Sequence, residues 1–148
     1  MPKPIERARP EDRDEIFRLL VENGLPLDGL DDHLSTALIA RDAGHIVGSA
    51  ALEVYEDGAL LRSVAVADER RGRGLGQDLT WRAISLAQEL GVPAIYLLTT
   101  TAERFFPKFG FETIPRTEVP AGVQRSIEFT SACPAGATVM RKGLSLAG

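Results

Sequence analysis

Val64-Ala65-Val66-Ala67-Asp68-Glu69-Arg70-Arg71-Gly72-Arg73-Gly74-Leu75-Gly76 reads as a strand that enters a glycine-rich turn and passes straight into a helix. The strand end belongs to Ala59 to Val66, an almost unbroken apolar run of the kind covered on both faces. The helix follows from Leu75, Leu79, Ala83, Leu86, Ala87 and Leu90, which repeat at helical spacing, and Gly91 and Pro93 end it. Glycines let the backbone turn sharply and bring successive N–H groups toward one point. The first N–H groups of a helix lack partners and sit at its positive end. The loop is therefore suited to phosphate; the plain alternative is a tight strand-to-helix connection. No Gly-Lys-Ser/Thr follows, which excludes a nucleoside-triphosphate loop, and Gly72-x-Gly74-x-Gly76 is not the dinucleotide fingerprint.

Upstream, Ile5 to Arg9 alternates as a strand. Pro10 opens a helix whose first turns carry Glu11, Asp12, Asp14 and Glu15, with Ile16, Leu19 and Leu20 inward and Gly24 as its stop. Leu25 to His33 is punctuated as a loop. Thr36 to Arg41 and Ile46 to Tyr55 form strands joined at Asp42-Ala43-Gly44, and Asp57-Gly58 reads as a two-residue hairpin turn. Downstream, Ala94 to Leu98 is a buried strand. Ala102, Phe105, Phe106 and Phe109 predict a short helix opened by a Thr100–Glu103 capping box and stopped by Gly110. Val119 to Phe129 reads as a further helix and Ala137 to Arg141 as a last strand. Hairpins first and a βαβ unit second imply an α/β fold, a mixed sheet with helices on both faces.

The 148 residues suit one domain, 1–148, with neither repeats nor a low-complexity linker. Hydrophobic residues make up 44% and charged residues 26%, a globular balance. A net charge of −4 argues against broad nucleic-acid binding. No apolar run approaches the ~18 residues of a membrane span, and Met1 to Arg9 does not resemble a signal peptide, so the expectation is a cytoplasmic protein with no membrane association. The single Cys133 excludes an internal disulfide and any multi-cysteine metal site, and no metal is expected.

Arg71-Gly72-Arg73-Gly74-Leu75-Gly76, behind a Val-Ala-Val strand, resembles the R/Q-x-x-G-x-G/A loop of the GCN5-related N-acetyltransferases, the GNAT family. Ala102, Phe106 and Gly110-Phe111 resemble that family's A-x-x-x-Y-x-x-x-G-F segment, and the order of elements agrees along the chain. The resemblance implies the GNAT fold: a mixed, mostly antiparallel sheet of six to seven strands, bulged and splayed at its centre into a V-shaped cleft. It implies acetyl-CoA as co-substrate, with contacts from Val64, Ala65 and Val66, from Arg71, Gly72, Arg73, Gly74, Leu75, Gly76 and Gln77, and from Thr99, Ala102 and Phe106. Arg70 and Arg73 would add charge for the CoA phosphates. Leu97-Leu98-Thr99-Thr100-Thr101 with Phe105-Phe106 is similar to the amino-acid acetyltransferase branch, including N-acetylglutamate synthases. The tail Ser131-Ala132-Cys133-Pro134-Ala135 adds a likeness to arsenic-resistance N-acetyltransferases. Two positions depart from the family. Phe106 stands where many members have a tyrosine proton donor, and Thr99 where asparagine is usual.

A two-residue Asp57-Gly58 turn would set Glu53 opposite Arg62 in the middle of the sheet. The pair reads either as a structural ion pair or as substrate machinery. In the second case Arg62 grips an amino-acid carboxylate, and Glu53 orients it or serves as catalytic base. His33 and Cys133 are further substrate-side candidates; a solvated loop histidine and a small buried thiol are their plain alternatives. The function expected is direct acetyl transfer to the amine of a small amino acid or an analogue, in arsenic or toxic-analogue resistance. Alternatives are a protein or peptide acetyltransferase and a non-catalytic CoA sensor. Besides its small-molecule amine, a homodimer partner is left open.

Overall fold

The computed structural model describes residues 5–126 and 136–144. Seven strands form one sheet: β1 (Ile5–Arg7), β2 (Ala37–Asp42), β3 (His45–Tyr55), β4 (Gly58–Val66), β5 (Ala94–Thr99), β6 (Glu112–Thr113) and β7 (Thr138–Gly143). Their spatial order is β1-β2-β3-β4-β5-β7-β6. Every neighbouring pair is antiparallel except β4 and β5, which run parallel because the helix α2 (Leu75–Glu89) crosses between them. Two shorter helices, α1 (Arg13–Glu22) and α3 (Ala121–Gln124), complete the regular structure with several 3₁₀ turns.

Side chains alternate along β3, so Gly48 and Leu52 face away from Glu53 and Tyr55. A β-carbon at Gly48 would lie 2.7 Å from Leu79 Cδ1, so the bare glycine lets α2 sit close on that face. On the opposite face α3 packs Val123 against a cluster with Leu60, Tyr96 and Val139. The larger core joins Ile16, Leu20, Ile39, Leu52, Leu79 and Phe109.

Several expectations are corrected. The β3–β4 hairpin pairs Tyr55 with Gly58 and Glu53 with Leu60, so the turn residues are Glu56-Asp57 and Glu53 is diagonal to Arg62 rather than opposite it. Gly58 is needed inside the strand, where a β-carbon would meet Tyr96, Ala94 and Val123 at 3.0–3.2 Å, and the Asp57 carboxylate accepts a hydrogen bond from Gly122 N at 2.8 Å. The slip is two residues along β4, so both side chains keep the same face. The helix expected at Ala102–Phe109 is only a 3₁₀ turn, Phe106–Phe109, since Pro107 donates no N–H. The Thr100–Glu103 box is replaced by Thr99, whose Oγ1 accepts from Ala102 N at 2.9 Å and Thr101 N at 3.3 Å. Of the helix expected from Val119 to Phe129, α3 forms the four residues Ala121–Gln124; Ile127 to Phe129 lie outside the described residues, as does Cys133.

Candidate active site

β4 carries an extra residue opposite Ala50: Ser49 pairs with Ala65, but Ala51 pairs with Arg62. Ser63 absorbs the bulge at φ +59°, and its carbonyl accepts from Ser49 Oγ at 2.7 Å. On the other side, β4 registers with β5 only at Ala59–Ile95 and Leu60–Tyr96. Beyond those pairs the strands part, and a cavity of about 320 Å³ opens between Leu61–Val66 and Leu97–Thr99. Thr101, Ala102, Phe105 and Phe106 close one side of it, and Asn23 and Leu25 from the end of α1 contribute to the lining.

A second cavity of about 370 Å³ lies at the glycine loop. Gly72 and Gly74 take φ +80° and +82°, a left-handed backbone that side chains rarely adopt, and a β-carbon on either would meet nothing within 4 Å. Gly74 is the N-cap of α2 and has no side chain to cap it. Leu75, Gly76 and Gln77, the first residues of the helix, border this space, and the first N–H groups of a helix have no partner within it. Val66, Arg71, Gly76 and Phe105 line both cavities, so the two adjoin.

The structure brings Val64, Ala65, Val66, Thr99, Ala102 and Phe106 to the first cavity and Gly72, Gly74, Leu75 and Gln77 to the second. Arg73 lines neither. Arg70 borders the second but is ion-paired with Asp42. Arg71 donates to Val66 O at 3.3 Å and to Asn23 Oδ1, and pairs with Asp68 at 2.9 Å, which ties the loop to the end of α1. Among the described residues no carboxylate lines either cavity, whereas Arg62, Arg70, Arg71 and Lys108 do. In a chain of net charge −4, these spaces are walled by cations.

Arg62 and Glu53 meet at 2.8 Å, each side chain 1% exposed. Glu53 Oε1 also accepts from Tyr55 Oη at 2.5 Å, and His33 Nε2 stands 3.7 Å from it. Burial pushes the Glu53 carboxyl up, but hydrogen bonds from Tyr55, Ser126 and Arg62 and the nearby His33 outweigh it and hold it below its usual 4.5. Burial and the Glu53 carboxylate push the Tyr55 phenol well above its usual 10. A carboxylate so held is a weak base, and Glu53 does not line the cavity. His33, half-buried, sits beside Glu53 and Tyr55 and does not line it either.

Asn23, Ser63, Thr101 and Lys108 border the cavities without having been singled out from sequence, and Tyr55 and Ser126 join the Glu53 cluster the same way. Tyr55 was findable, since it lies two residues beyond Glu53 on one face of β3. The signal for Lys108 is its place as a cation amid Phe105, Phe106, Phe109 and Phe111.

A family model described as an acetyltransferase (GNAT) domain matches residues 33–113, more than half of the chain. The amino-acid acetyltransferase of Mycobacterium tuberculosis is 36% identical over 81 residues, 54% of this chain and 46% of that protein. The amino-acid acetyltransferase of Neisseria meningitidis is 28% identical over 111 residues, 71% of this chain and 26% of the relative, so the chain spans about a quarter of that relative's length. Among solved structures, Rv2747 from Mycobacterium tuberculosis in complex with CoA and NLQ superposes with a TM-score of 0.80 at 27% identity, covering 96% of this chain and 99% of that one. N-acetylglutamate synthase from Neisseria gonorrhoeae, complexed with coenzyme A and N-acetyl-glutamate, shares the fold with a TM-score of 0.81 at 24% identity, covering 96% of this chain and 35% of that one. With a parted sheet, a glycine loop capping the crossover helix and a matching family model, the chain belongs to the GNAT family of acetyltransferases.

Proposed function

We propose that this chain is an acetyl-CoA-dependent N-acetyltransferase acting on the amine of a small amino acid or amino-acid analogue. The observation that carries the reading is the pair of adjoining cavities, one between parted strands and one at an uncapped helix end, walled by cations and without a bordering carboxylate among the described residues. The residues fit the co-substrate. The open left-handed backbone at Gly72 and Gly74 leaves room for a pyrophosphate against the first N–H groups of α2. Val64, Ala65 and Val66 offer a strand edge that β5 leaves unpaired, where the amides of a pantetheine arm would bond.

Acetyl-CoA, when bound, supplies the acetyl group as an activated thioester. The chain's part is to hold amine and thioester together, and such positioning carries much of the acceleration. Phe106 has no proton to donate. Thr99 lines the same cavity, and its Oγ1 already accepts two backbone N–H groups, so its hydroxyl hydrogen is oriented away from them and has no acceptor among the described residues. We assign Thr99 a hydrogen bond to the leaving thiolate, which keeps its negative charge or takes a proton from water. With Glu53 held ionised and away from the cavity, water takes the amine's proton.

The amino-acid acetyltransferases among the relatives favour a free amino acid over a peptide lysine as acceptor. The narrower likeness of the Ser131–Ala135 tail brings arsenic- and phosphorus-containing glutamate analogues into the same class, with a role in resistance to them. An acetyl-CoA turnover screen over free amino acids and these oxyanion analogues tests the proposal. Saturable release of CoA with at least one of them is expected. Tight CoA binding without turnover of any free amine would overturn it in favour of a CoA sensor. Turnover of peptides alone would overturn it in favour of a protein acetyltransferase.

A further inference from the structure

Arg62 lies on β4 just before the bulge, where a buried cation with open donors would be an obvious carboxylate grip. Its donors are engaged instead. Nε donates to Ser63 Oγ at 3.2 Å, Nη1 to Glu53 Oε2 at 2.8 Å and to Asp28 O at 2.6 Å, and Nη2 to Pro26 O at 3.1 Å. A guanidinium has five N–H groups, and these partners take four. A bidentate hold on a substrate carboxylate needs two parallel N–H groups on one edge of the fork. Asp28 and Pro26 lie 34 and 36 residues from Arg62 in sequence, in the loop that leaves α1. In that same loop Leu25 lines the cavity between the parted strands. Glu53 neutralises the cation and is itself held by Tyr55 and Ser126, so β3, β4, the loop after α1 and the chain beyond α3 meet at one buried ion pair.

We propose that Arg62 is a positioning residue: it clamps the Pro26–Asp28 backbone to β4, so that Leu25 forms a fixed wall on the acceptor side of the cleft, and it sets acceptor affinity without touching the acceptor. This rests on the acetyltransferase reading for its kinetic consequence but not for its structural one. It differs from a structural ion pair alone in naming the element that is held, and from a substrate ligand in being indifferent to the acceptor's carboxylate.

The test uses the full chain carrying Arg62→Lys, which keeps the charge and loses the fork. Three measurements are made. CoA affinity, measured by calorimetry, should stay within about twofold of wild type. Amide hydrogen exchange at residues 24–29 should speed up about tenfold or more, while exchange in β5 and β7 is unchanged. The acceptor Michaelis constant should rise about tenfold, and by the same factor for an amino acid and for its carboxamide, with the turnover number less affected. A rise confined to the carboxylate acceptor would show direct binding and overturn the clamp. Unchanged loop exchange in the folded variant would overturn it as well. If Arg62→Lys does not fold, the pair Arg62→Met with Glu53→Leu replaces the buried ions by apolar groups, a change often tolerated, and the same exchange readout decides. Absence of turnover in the wild type would count against the acetyltransferase reading, and the exchange result would still judge the clamp.

Discussion

In the proposed reaction Thr99 offers a hydroxyl at the cleft, and Phe106 only packs where the family resemblance implies a tyrosine. Phe106 is 6% exposed and wedged edge-on against Phe105 and Phe111, with ring centroids 5.1 and 5.8 Å away. Phe106→Tyr adds a hydroxyl at a packed position, and only a modest change in rate is expected, within about threefold; a gain of a hundredfold or more would show that the wild type lacks a donor it can use. Thr99→Val removes the hydroxyl and the cap on Ala102 N together. The expected result is a loss of about tenfold or more in turnover, with about 1 kcal/mol of stability lost, while Thr99→Ser keeps both. Comparing turnover with melting temperature for the two variants separates chemistry from capping. Glu53 allows a test by pH. Its folded value lies below its usual 4.5, so its stabilisation is full above about pH 4.5 and is lost as pH falls through the lower folded value. Glu53→Gln leaves Arg62 without its counter-charge and should cost about 3–5 kcal/mol at pH 7. The gap between the two melting curves should narrow as pH drops below 4.5; a constant gap would mean the carboxylate is not the ionised partner. At this scale the sequence reading found both members of the ion pair and the departure at Phe106. It could not find Pro26 and Asp28, because they contribute carbonyl oxygens, which every residue owns and no side chain advertises.

The glycine loop and α2 act as one element, and two glycines set where they stand. Gly74 sits at φ +82° with open space beyond it, so Gly74→Val strains the backbone by about 1–2 kcal/mol and places two methyl groups where ligand would approach. CoA affinity should fall strongly while the protein stays folded; unchanged affinity would remove the loop from the binding site. Gly48 controls the other side. Its β-carbon would press on Leu79 Cδ1 at 2.7 Å and Leu75 Cδ2 at 3.1 Å, in the turns of α2 that follow the loop. Gly48→Val should cost about 1–3 kcal/mol by overpacking and weaken CoA binding through displacement of the helix. Titration of the variant with CoA, alongside a denaturant melt, checks both. The long periodic elements, α1, α2 and the four apolar strands from Ala37 to Thr99, were readable because burial imposes a period on them. The hairpin register was not, since Asp57 and Gly58 are claimed by Gly122 and Tyr96, contacts across the sheet that no local turn rule contains. Nor was the 3₁₀ turn at Phe106–Phe109, where helical spacing of aromatics survived but Pro107 prevented a longer helix.

Across the whole molecule the sheet is far from uniform. β3 and β4 run paired from Tyr55–Gly58 to Gly48–Val66, and β5 with β7 from Thr99–Thr138 to Ala94–Gly143, yet β4 and β5 share two registered pairs. The fold class and the mixed sheet could be inferred from the chain's alternation of hairpins and crossover. The depth of the split was inferred only from family likeness, because divergence of two strands is a property of the space between them. In mechanical terms the molecule is two stiff plates joined along a short seam, with α2 laid across β2, β3 and β4 of one of them. A ligand lying in the gap acts as a mortar across both plates. It should therefore stabilise the protein as a whole, by about 2.7 kcal/mol at a hundredfold excess over its dissociation constant. It should also slow amide exchange most at Leu97 to Thr99, where one plate faces the other without a strand to bond.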